Sequence, residues 1–276
     1  MACLGLAQLS HETTPALVQL AATCLIFYGQ AALSQRAWLA PAAFLAGMAG
    51  LGLSGAPTVA ALLGLGALAL NLRPPTVDEA PSPVRQTRRI VTVALSTSAA
   101  LALFTLLDLW VWRLGSTPTD LDQWKAIGRL FLWFTWPAWP LSLWTLWQWR
   151  RQLARIDRHA HLAWPLWIAT VSAVTTLLTP ASDRSLLLAL PALATLAALS
   201  LPTLGRSVSA LVDWFTLLFF SGCAIVIWVV WIAMQTGVPR QPAANVARLA
   251  PGFAPSFSLL PFVIAALATV FWIALV

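Results

Sequence analysis

The stretch that decides the fold is Leu211–Gln235, which reads LVDWFTLLFFSGCAIVIWVVWIAMQ. An apolar run of this length can cross a lipid bilayer as one α-helix, which needs about 20 residues. Similar runs recur along the whole chain, separated by charged residues or by Pro and Gly. A strand of a transmembrane β-barrel would instead show about ten residues of alternating polarity. The pattern predicts an all-α, polytopic membrane protein.

The overall composition supports the same fold class. The chain has 276 residues, of which 59% are hydrophobic and 9% charged, and its mean hydropathy is +0.80. Soluble proteins carry about 25% charged residues, so a soluble enzyme is excluded, and the low charge also excludes a disordered chain. The net charge of +7 is typical of Lys and Arg enrichment in cytoplasmic loops, and no nucleic-acid partner is expected.

Nine apolar runs are predicted to be membrane helices, or eight if the short second and third form one hairpin that does not fully cross. The chain is interpreted as a single helical membrane domain, residues 1–276, with an extended cytoplasmic linker at 73–89. The predicted helices cover residues 15–33, 37–53, 56–72, 90–112, 130–149, 162–179, 186–204, 211–235 and 257–276.

The distribution of Lys and Arg predicts the orientation. Alternate loops carry ten of these residues on one side and six on the other, and the two densest clusters fall on the same side. Cytoplasmic loops are the ones enriched in Lys and Arg. The N-terminus is therefore predicted outside and the C-terminus in the cytoplasm. Helical spans also predict a bacterial inner membrane, because outer-membrane proteins are usually barrels.

Seven of the 16 tryptophans fall between residues 124 and 149. Two Trp-Pro pairs, at 136–137 and 139–140, lie within this stretch. Proline removes a helical hydrogen bond, and irregular backbone at membrane depth usually lines a cavity. The sequence therefore predicts a broken helix near the outer face. An aromatic belt at the membrane surface is the alternative interpretation of the tryptophans.

Trp133, Trp136 and Trp139 are spaced so that they share one side if the segment is helical. Lys125 and Arg129 precede them in the sequence. Indole faces beside two cations suit a ligand with an apolar or sugar-like body and a phosphate. These five residues form the main candidate site.

Three further charged residues are candidates. Asp108 lies within the predicted helix 90–112, and an ionisable group in a membrane span is a functional candidate; pairing with Arg113 or contact with water is the alternative. Asp183 and Arg184 lie in a short outward loop. Arg184 can hold an anionic head group in bidentate fashion. A local Asp–Arg pair and nonspecific lipid binding are the alternatives there.

The residues themselves show no catalytic constellation and require no cofactor. Gly50–Gly55 matches a dinucleotide-binding pattern but follows an apolar helix, so packing between membrane helices explains it better. Asp157, His159 and His161 alternate in a basic loop and face one side only in an extended chain. No metal site is therefore predicted.

The C-terminal half resembles membrane glycosyltransferases of the aminoarabinose-transferase and protein-mannosyltransferase type. The similar stretches are FLWFTWPAWPLSLWTLW at 131–147, DRSLLLALPALATLAAL at 183–199 and the run at 211–257, and residues 11–33 are similar to a middle helix of that family. The resemblance implies transfer of a sugar from a polyprenyl-phosphate carrier to an acceptor on the periplasmic side. It also implies that a divalent metal or basic groups hold the phosphate leaving group.

The family's acidic first outward loop, which is expected to orient or deprotonate the acceptor, would precede Met1. The sequence therefore predicts a glycosyltransferase-like chain without its catalytic loop: a fragment, a wrongly assigned start or a reduced relative. The expected partners are membrane lipid, a polyprenyl-phosphate-linked sugar and a second membrane chain that supplies the loop. The alternatives are a non-catalytic membrane subunit that binds lipid or a partner protein, and a transporter.

Overall fold

The computed structural model of the chain describes residues 15–73, 83–110, 121–153, 159–178, 183–249, 252 and 256–275. Over these ranges the regular secondary structure is helical throughout. Short 3₁₀ turns cover Leu187–Ala189 and Leu201–Thr203. The α-helices are α1 Pro15–Ala32, α2 Leu39–Leu53, α3 Pro57–Leu72, α4 Pro83–Leu106, α5 Leu121–Phe134, α6 Ala138–Gln148, α7 Arg150–Leu153, α8 Ala160–Leu178, α9 Asp183–Leu186, α10 Leu190–Ser200, α11 Arg206–Thr236, α12 Arg240–Leu249 and α13 Leu259–Leu275.

Several helices have the length and composition of membrane spans. In the described ranges, four are long and apolar enough to cross a membrane: Pro15–Ala32, Pro83–Leu106, His161–Leu178 and Arg206–Thr236. The shorter apolar helices are Leu39–Leu53, Pro57–Leu72, Leu187–Thr203 and Leu259–Leu275. The prediction of an all-helical protein with membrane-spanning character is confirmed at this level.

Beside an apolar core, the helices bury several polar side chains and leave many large apolar side chains exposed. Thr23, Gln30 and Thr97 are buried, whereas Leu65 and Leu218 are 52% and 62% exposed. Such an outer surface is unfavourable in water. Lipid tails are as apolar as leucine, so it is compatible with a bilayer. The burial pattern agrees with a membrane protein.

Four elements extend beyond or lie outside the predicted apolar runs, and one of them is α5, which begins at Leu121, nine residues before the predicted start at 130. α4 begins at Pro83, so the C-terminal part of the predicted linker is helical. α11 begins at Arg206, five residues before the predicted start at 211, and α12 was not predicted at all. Each of these extra segments contains arginine. Charge interrupts a continuous apolar run without preventing a helix, which explains the difference.

The chain forms two compact units, residues 1–203 and 204–276. In the first unit, hydrogen bonds tie both ends of α1 to its neighbours. Gln19 Nε2 donates to the carbonyl of Ser54, between α2 and α3, at 2.9 Å. Asn71 Nδ2, in the last turn of α3, donates to Gln30 Oε1 in the last turn of α1, at 3.1 Å. α1 and α3 therefore run in the same direction, with α2 returning between them.

Glycines let α1 and α2 approach closely. A Cβ on Gly29 would lie 2.8 Å from the Cα of Phe44, and a Cβ on Gly47 would lie 2.7 Å from the carbonyl oxygen of Ala22. Real Cβ atoms essentially never approach backbone atoms so closely. Small residues that bring two backbones together are the usual basis of helix packing in membranes.

α6 and α10 pack against each other through hydroxyl groups. Ser142 Oγ donates to the carbonyl of Leu193 at 2.9 Å, and Thr145 Oγ1 donates to the carbonyl of Leu196 at 2.6 Å. Because both helices advance by three residues between the two bonds, they run parallel. α8, which lies between them in sequence, supplies the return crossing.

The second unit contains α11, α12 and α13. Trp228 Nε1 donates to Thr269 Oγ1 at 3.0 Å, and Trp272 Nε1 donates to Ser221 Oγ at 3.2 Å. The residue numbers rise on one helix as they fall on the other. α11 and α13 are therefore antiparallel.

Candidate functional site

α5 is an amphipathic helix, and the predicted cations lie on its exposed face. Ile127 and Phe134 are buried, whereas Lys125 and Arg129 are exposed. Trp133 is 67% exposed. Residues four apart lie on one helix face, so Lys125, Arg129 and Trp133 follow each other along the exposed side of α5. The sequence therefore builds a face with two positive charges that ends in an indole.

The two cations of this face differ in their surroundings. Lys125 Nζ lies 2.9 Å from Asp122 Oδ1 one turn earlier, and these side chains are 69% and 82% exposed. An exposed pair of this kind contributes about 0–1 kcal/mol to stability. In the described part of the chain, Arg129 forms no hydrogen bond or ion pair. Arg129 is thus the cation on this face whose charge is not offset by a described neighbour.

The chain breaks between α5 and α6, where the two Trp-Pro pairs begin. α5 ends at Phe134 and α6 begins at Ala138, and the Trp136–Pro137 peptide bond is cis. Trp139 Nε1 donates to the carbonyl of Leu132 at 3.1 Å. This carbonyl belongs to the last turn of α5, whose acceptors have no partner within the helix. The predicted break is confirmed, and two helices stand in place of the one expected over 130–149.

The break rearranges the predicted tryptophan face. The rings of Trp136 and Trp139 lie 6.4 Å apart between centroids, at 59° to each other. Trp136 is 38% exposed. Because residues 135–137 are not helical, Trp133 does not continue this pair along one helix. Two indoles therefore meet at the break, and the third stands on the exposed face of α5.

The segment that contains Asp183 and Arg184 packs beside these residues. α9 contacts α5, and Leu186 belongs to a buried cluster with Phe134 and Ala16. The side chains of Asp183 and Arg184 lie outside the described atoms. Two segments separated by 48 residues in sequence, α5 and α9, thus converge on one end of the first unit. We call this the tryptophan end, formed by α5, the break at 135–137 and α9.

The prediction that Asp108 lies within a helix is wrong. α4 ends at Leu106, and Asp108 has φ = 51° in the turn that follows. The N–H of Asp108 donates to the carbonyl of Thr105 at 3.3 Å, and the N–H of Leu109 donates to the carbonyl of Phe104 at 2.9 Å. These two bonds form a Schellman motif, which needs a residue that tolerates the left-handed conformation. Asp is one of the few that do.

Asp108 nevertheless lies at the tryptophan end. Phe104, in the last turn of α4, packs directly against Gly52 in the last turn of α2. The turn after α2 is bonded to the first turns of α1 through Gln19, and Ala16 of α1 packs with the cluster beneath α9. Over the described residues, no hydrogen bond or ion pair joins Asp108 to the cations of α5.

Sequence reasoning missed Asp213. Because α11 begins at Arg206, Asp213 lies two turns inside a membrane-type helix, and it is exposed with no ion pair among the described residues. The sequence did contain a signal for it, namely a carboxylate near the start of the longest predicted apolar run. Because that helix was predicted to start at 211, Asp213 was expected in its first turn, at the end of the membrane span.

The tryptophan end joins an exposed cation, an exposed indole face and a break in the backbone. This combination can hold an amphiphilic anion, because the guanidinium recognises oxyanions and the indoles contact an apolar chain or a sugar face. Across the ranges the structure covers, no group of three or more His, Cys, Asp or Glu side chains is placed to hold a metal. In comparisons with known proteins, no family model, curated protein or solved structure matches the chain.

Proposed function

We propose that this integral membrane protein binds a lipid-linked phosphate at the tryptophan end and acts in sugar transfer from a polyprenyl-phosphate carrier. The observation that carries the proposal is the alignment of Arg129 with Trp133 on the exposed face of α5, next to the Trp136–Trp139 pair. A phosphate needs the cation, and a prenyl chain or sugar ring needs the apolar aromatic surface. The reaction itself rests on the family resemblance of the sequence.

The proposed topology places about nine spans in a bacterial inner membrane, with the N-terminus outside and the C-terminus in the cytoplasm. The parallel packing of α6 and α10 supports it, since it requires α8 to cross in the opposite direction. The positions of the charged residues in the first unit also support this topology. The tryptophan end lies opposite the arginines that follow α1 and α3, which the Lys and Arg bias assigns to the cytoplasm.

The proposal is tested by measuring the binding of polyprenyl phosphate to the full chain by native mass spectrometry. Arg129→Gln is expected to weaken binding about tenfold, as for loss of a charge-assisted hydrogen bond. Lys125→Gln is expected to have a smaller effect, because Asp122 already pairs with Lys125. Trp136→Ala is expected to weaken binding through lost aromatic contact.

The matched control is Arg248→Gln, which removes one exposed arginine from the other amphipathic helix, α12. It should leave binding unchanged. Unaltered binding in both Arg129→Gln and Trp136→Ala would refute a site at the tryptophan end. In a sugar-transfer assay, an undiminished rate for Arg184→Ala would remove Arg184 from the proposed site.

A non-catalytic membrane subunit is the second candidate. It is favoured by the ion pair of Asp122 with Lys125 at 2.9 Å, because Asp122 is the acidic residue of α5 and its carboxylate is engaged by that cation. In this case a second membrane chain supplies the acidic loop. Co-purification of such a chain, with sugar transfer by the complex and none by this chain alone, distinguishes this candidate from the first.

A further inference from the structure

The end of α1–α4 opposite the tryptophan end is rich in arginine, and we call it the arginine end. Residues 15–73 and 83–106 contain no Asp or Glu, so these helices supply no carboxylate to neutralise it. One arginine follows α1, one ends α3 and three lie in the first two turns of α4. They are Arg36, Arg73, Arg85, Arg88 and Arg89.

A chain of amide hydrogen bonds fixes the position of the arginines on α4. Gln86 Nε2 donates to the carbonyl of Asn71 at 2.6 Å, and Asn71 Nδ2 donates to Gln30 Oε1 at 3.1 Å. Asn71 is only 3% exposed. The first turn of α4 is thereby attached to α3 and α1. Groups that are positioned before a ligand arrives bind it at a lower entropic cost.

The same cluster contains polar atoms whose hydrogen-bonding capacity is unused. Arg89 Nε and Asn71 Oδ1 are buried without a described partner. Arg85 and Arg88, beside Arg89 on α4, are exposed and form no described ion pair. Among the described residues, the corner of the bundle therefore carries two exposed guanidinium groups, those of Arg85 and Arg88, and the buried Nε donor of Arg89, all without an ion pair. Guanidinium donors match the geometry of phosphate oxygens.

The arginine end has the features of a membrane surface. Trp38, in the turn that follows Arg36, is 72% exposed, and exposed indoles favour the lipid headgroup region. After the last arginine of α4, residues 90–106 continue the helix without a charge. These residues extend for about 25 Å, close to the thickness of the hydrocarbon core. In a bilayer spanned by this stretch, the guanidinium groups would lie at the depth of the lipid headgroups.

We propose that the arginine end is a binding site for the phosphate of an anionic phospholipid, contacted by Arg85 and Arg88 and supported by Arg89. The ligand is a lipid headgroup rather than a soluble anion, because the site lies where an apolar helix surface begins. This site lies at the opposite end of the first unit from the one proposed for the lipid-linked phosphate and does not depend on it.

The test measures thermal stabilisation of the full chain in neutral detergent by phosphatidylglycerol, with phosphatidylcholine as the reference lipid. Phosphatidylglycerol is expected to raise Tm and phosphatidylcholine to have little effect. Arg85→Gln/Arg88→Gln is expected to weaken the apparent phosphatidylglycerol affinity about tenfold or more. Both side chains are exposed, so the variant preserves the packing of the bundle. Arg85→Lys/Arg88→Lys should retain an intermediate affinity, since charge remains without the planar donor group.

The matched control is Arg150→Gln/Arg151→Gln. These two exposed arginines follow α6, and no chain of amide hydrogen bonds like that of Gln86 and Asn71 is described beside them. An equal loss of affinity in both pairs would show nonspecific attraction and overturn the proposal. So would inorganic phosphate that competes as effectively as the lipid. If phosphatidylglycerol raised Tm only in the Asp78→Asn/Glu79→Gln variant, the proposal would also be overturned. The carboxylates of residues 78 and 79 would then be the partners of these arginines in the wild-type chain.

Discussion

The backbone conformation of Asp108 gives this residue a structural role in the turn after α4. Its φ of 51° places it in the left-handed region, at the position of a Schellman motif where glycine is most common. Asp108→Gly is therefore expected to keep or raise Tm, and Asp108→Val to lose about 1–2 kcal/mol of stability. Thermal unfolding in detergent, followed by circular dichroism, measures both.

Asp108→Asn separates conformation from charge, since Asn also tolerates this region. We expect wild-type stability and wild-type binding of polyprenyl phosphate. Reduced binding at unchanged Tm would mean that the carboxylate has a functional role that its place in the turn does not explain.

The residues of the candidate site were predictable to different degrees. The break near Trp136 follows from proline chemistry, and the pairing of Lys125 with Asp122 follows from their spacing on a helix. The packing of α9 on α5 does not follow from the sequence of either helix, because it depends on how α6, α7 and α8 fold between them. Local rules therefore identified the groups, and tertiary packing decided which of them meet.

At the scale of elements, the contact between α1 and α2 depends on which glycines face the neighbouring backbone. A Cβ at Gly47 would lie 2.7 Å from a carbonyl oxygen of α1, whereas a Cβ at Gly50 would lie 3.5 Å from the Cβ of Ala22, an ordinary contact. Gly47→Ala is expected to lower Tm clearly, because the helices must separate. Gly50→Ala is the matched control.

Gly50→Ala is expected to be neutral or stabilising by up to about 1 kcal/mol, the difference in helix propensity between Gly and Ala. Both variants lie in the interior of α2, so propensity contributes equally to each. Equal Tm values for the two would contradict the close approach of α1 and α2.

The elements found from sequence were those that are apolar on all sides. α5 and α12 are polar on one face and apolar on the other, so apolar runs reveal only part of α5 and none of α12. The apolar residues of these two helices recur at the 3.6-residue spacing of one helix face and do not form the continuous apolar run of a membrane span.

At the scale of the whole molecule, the first unit has two chemically different ends. The tryptophan end and the arginine end are expected on opposite sides of the membrane. In a variant without native cysteines, Ala126→Cys on α5 should react in intact cells with a membrane-impermeant maleimide. Gln35→Cys, beside Arg36, should react only after permeabilisation. Both positions are exposed.

The reverse labelling pattern would overturn the orientation while keeping the two ends distinct. Labelling of both positions in intact cells would refute their separation by a bilayer. Reaction of both positions in detergent solution confirms that each thiol is accessible, which makes the comparison in cells interpretable.

α11 has 31 residues and is therefore about 46 Å long. A hydrocarbon core of about 30 Å, crossed at the usual tilt of about 20°, accommodates about 21 residues. The uncharged part of α11, from Trp214 to Thr236, has 23 residues, which is close to that length. In a bilayer spanned by this part of α11, the first two turns of the helix, from Arg206 to Asp213, would protrude beyond the hydrocarbon core. Asp213 closes these first two turns and directly precedes the uncharged part of α11.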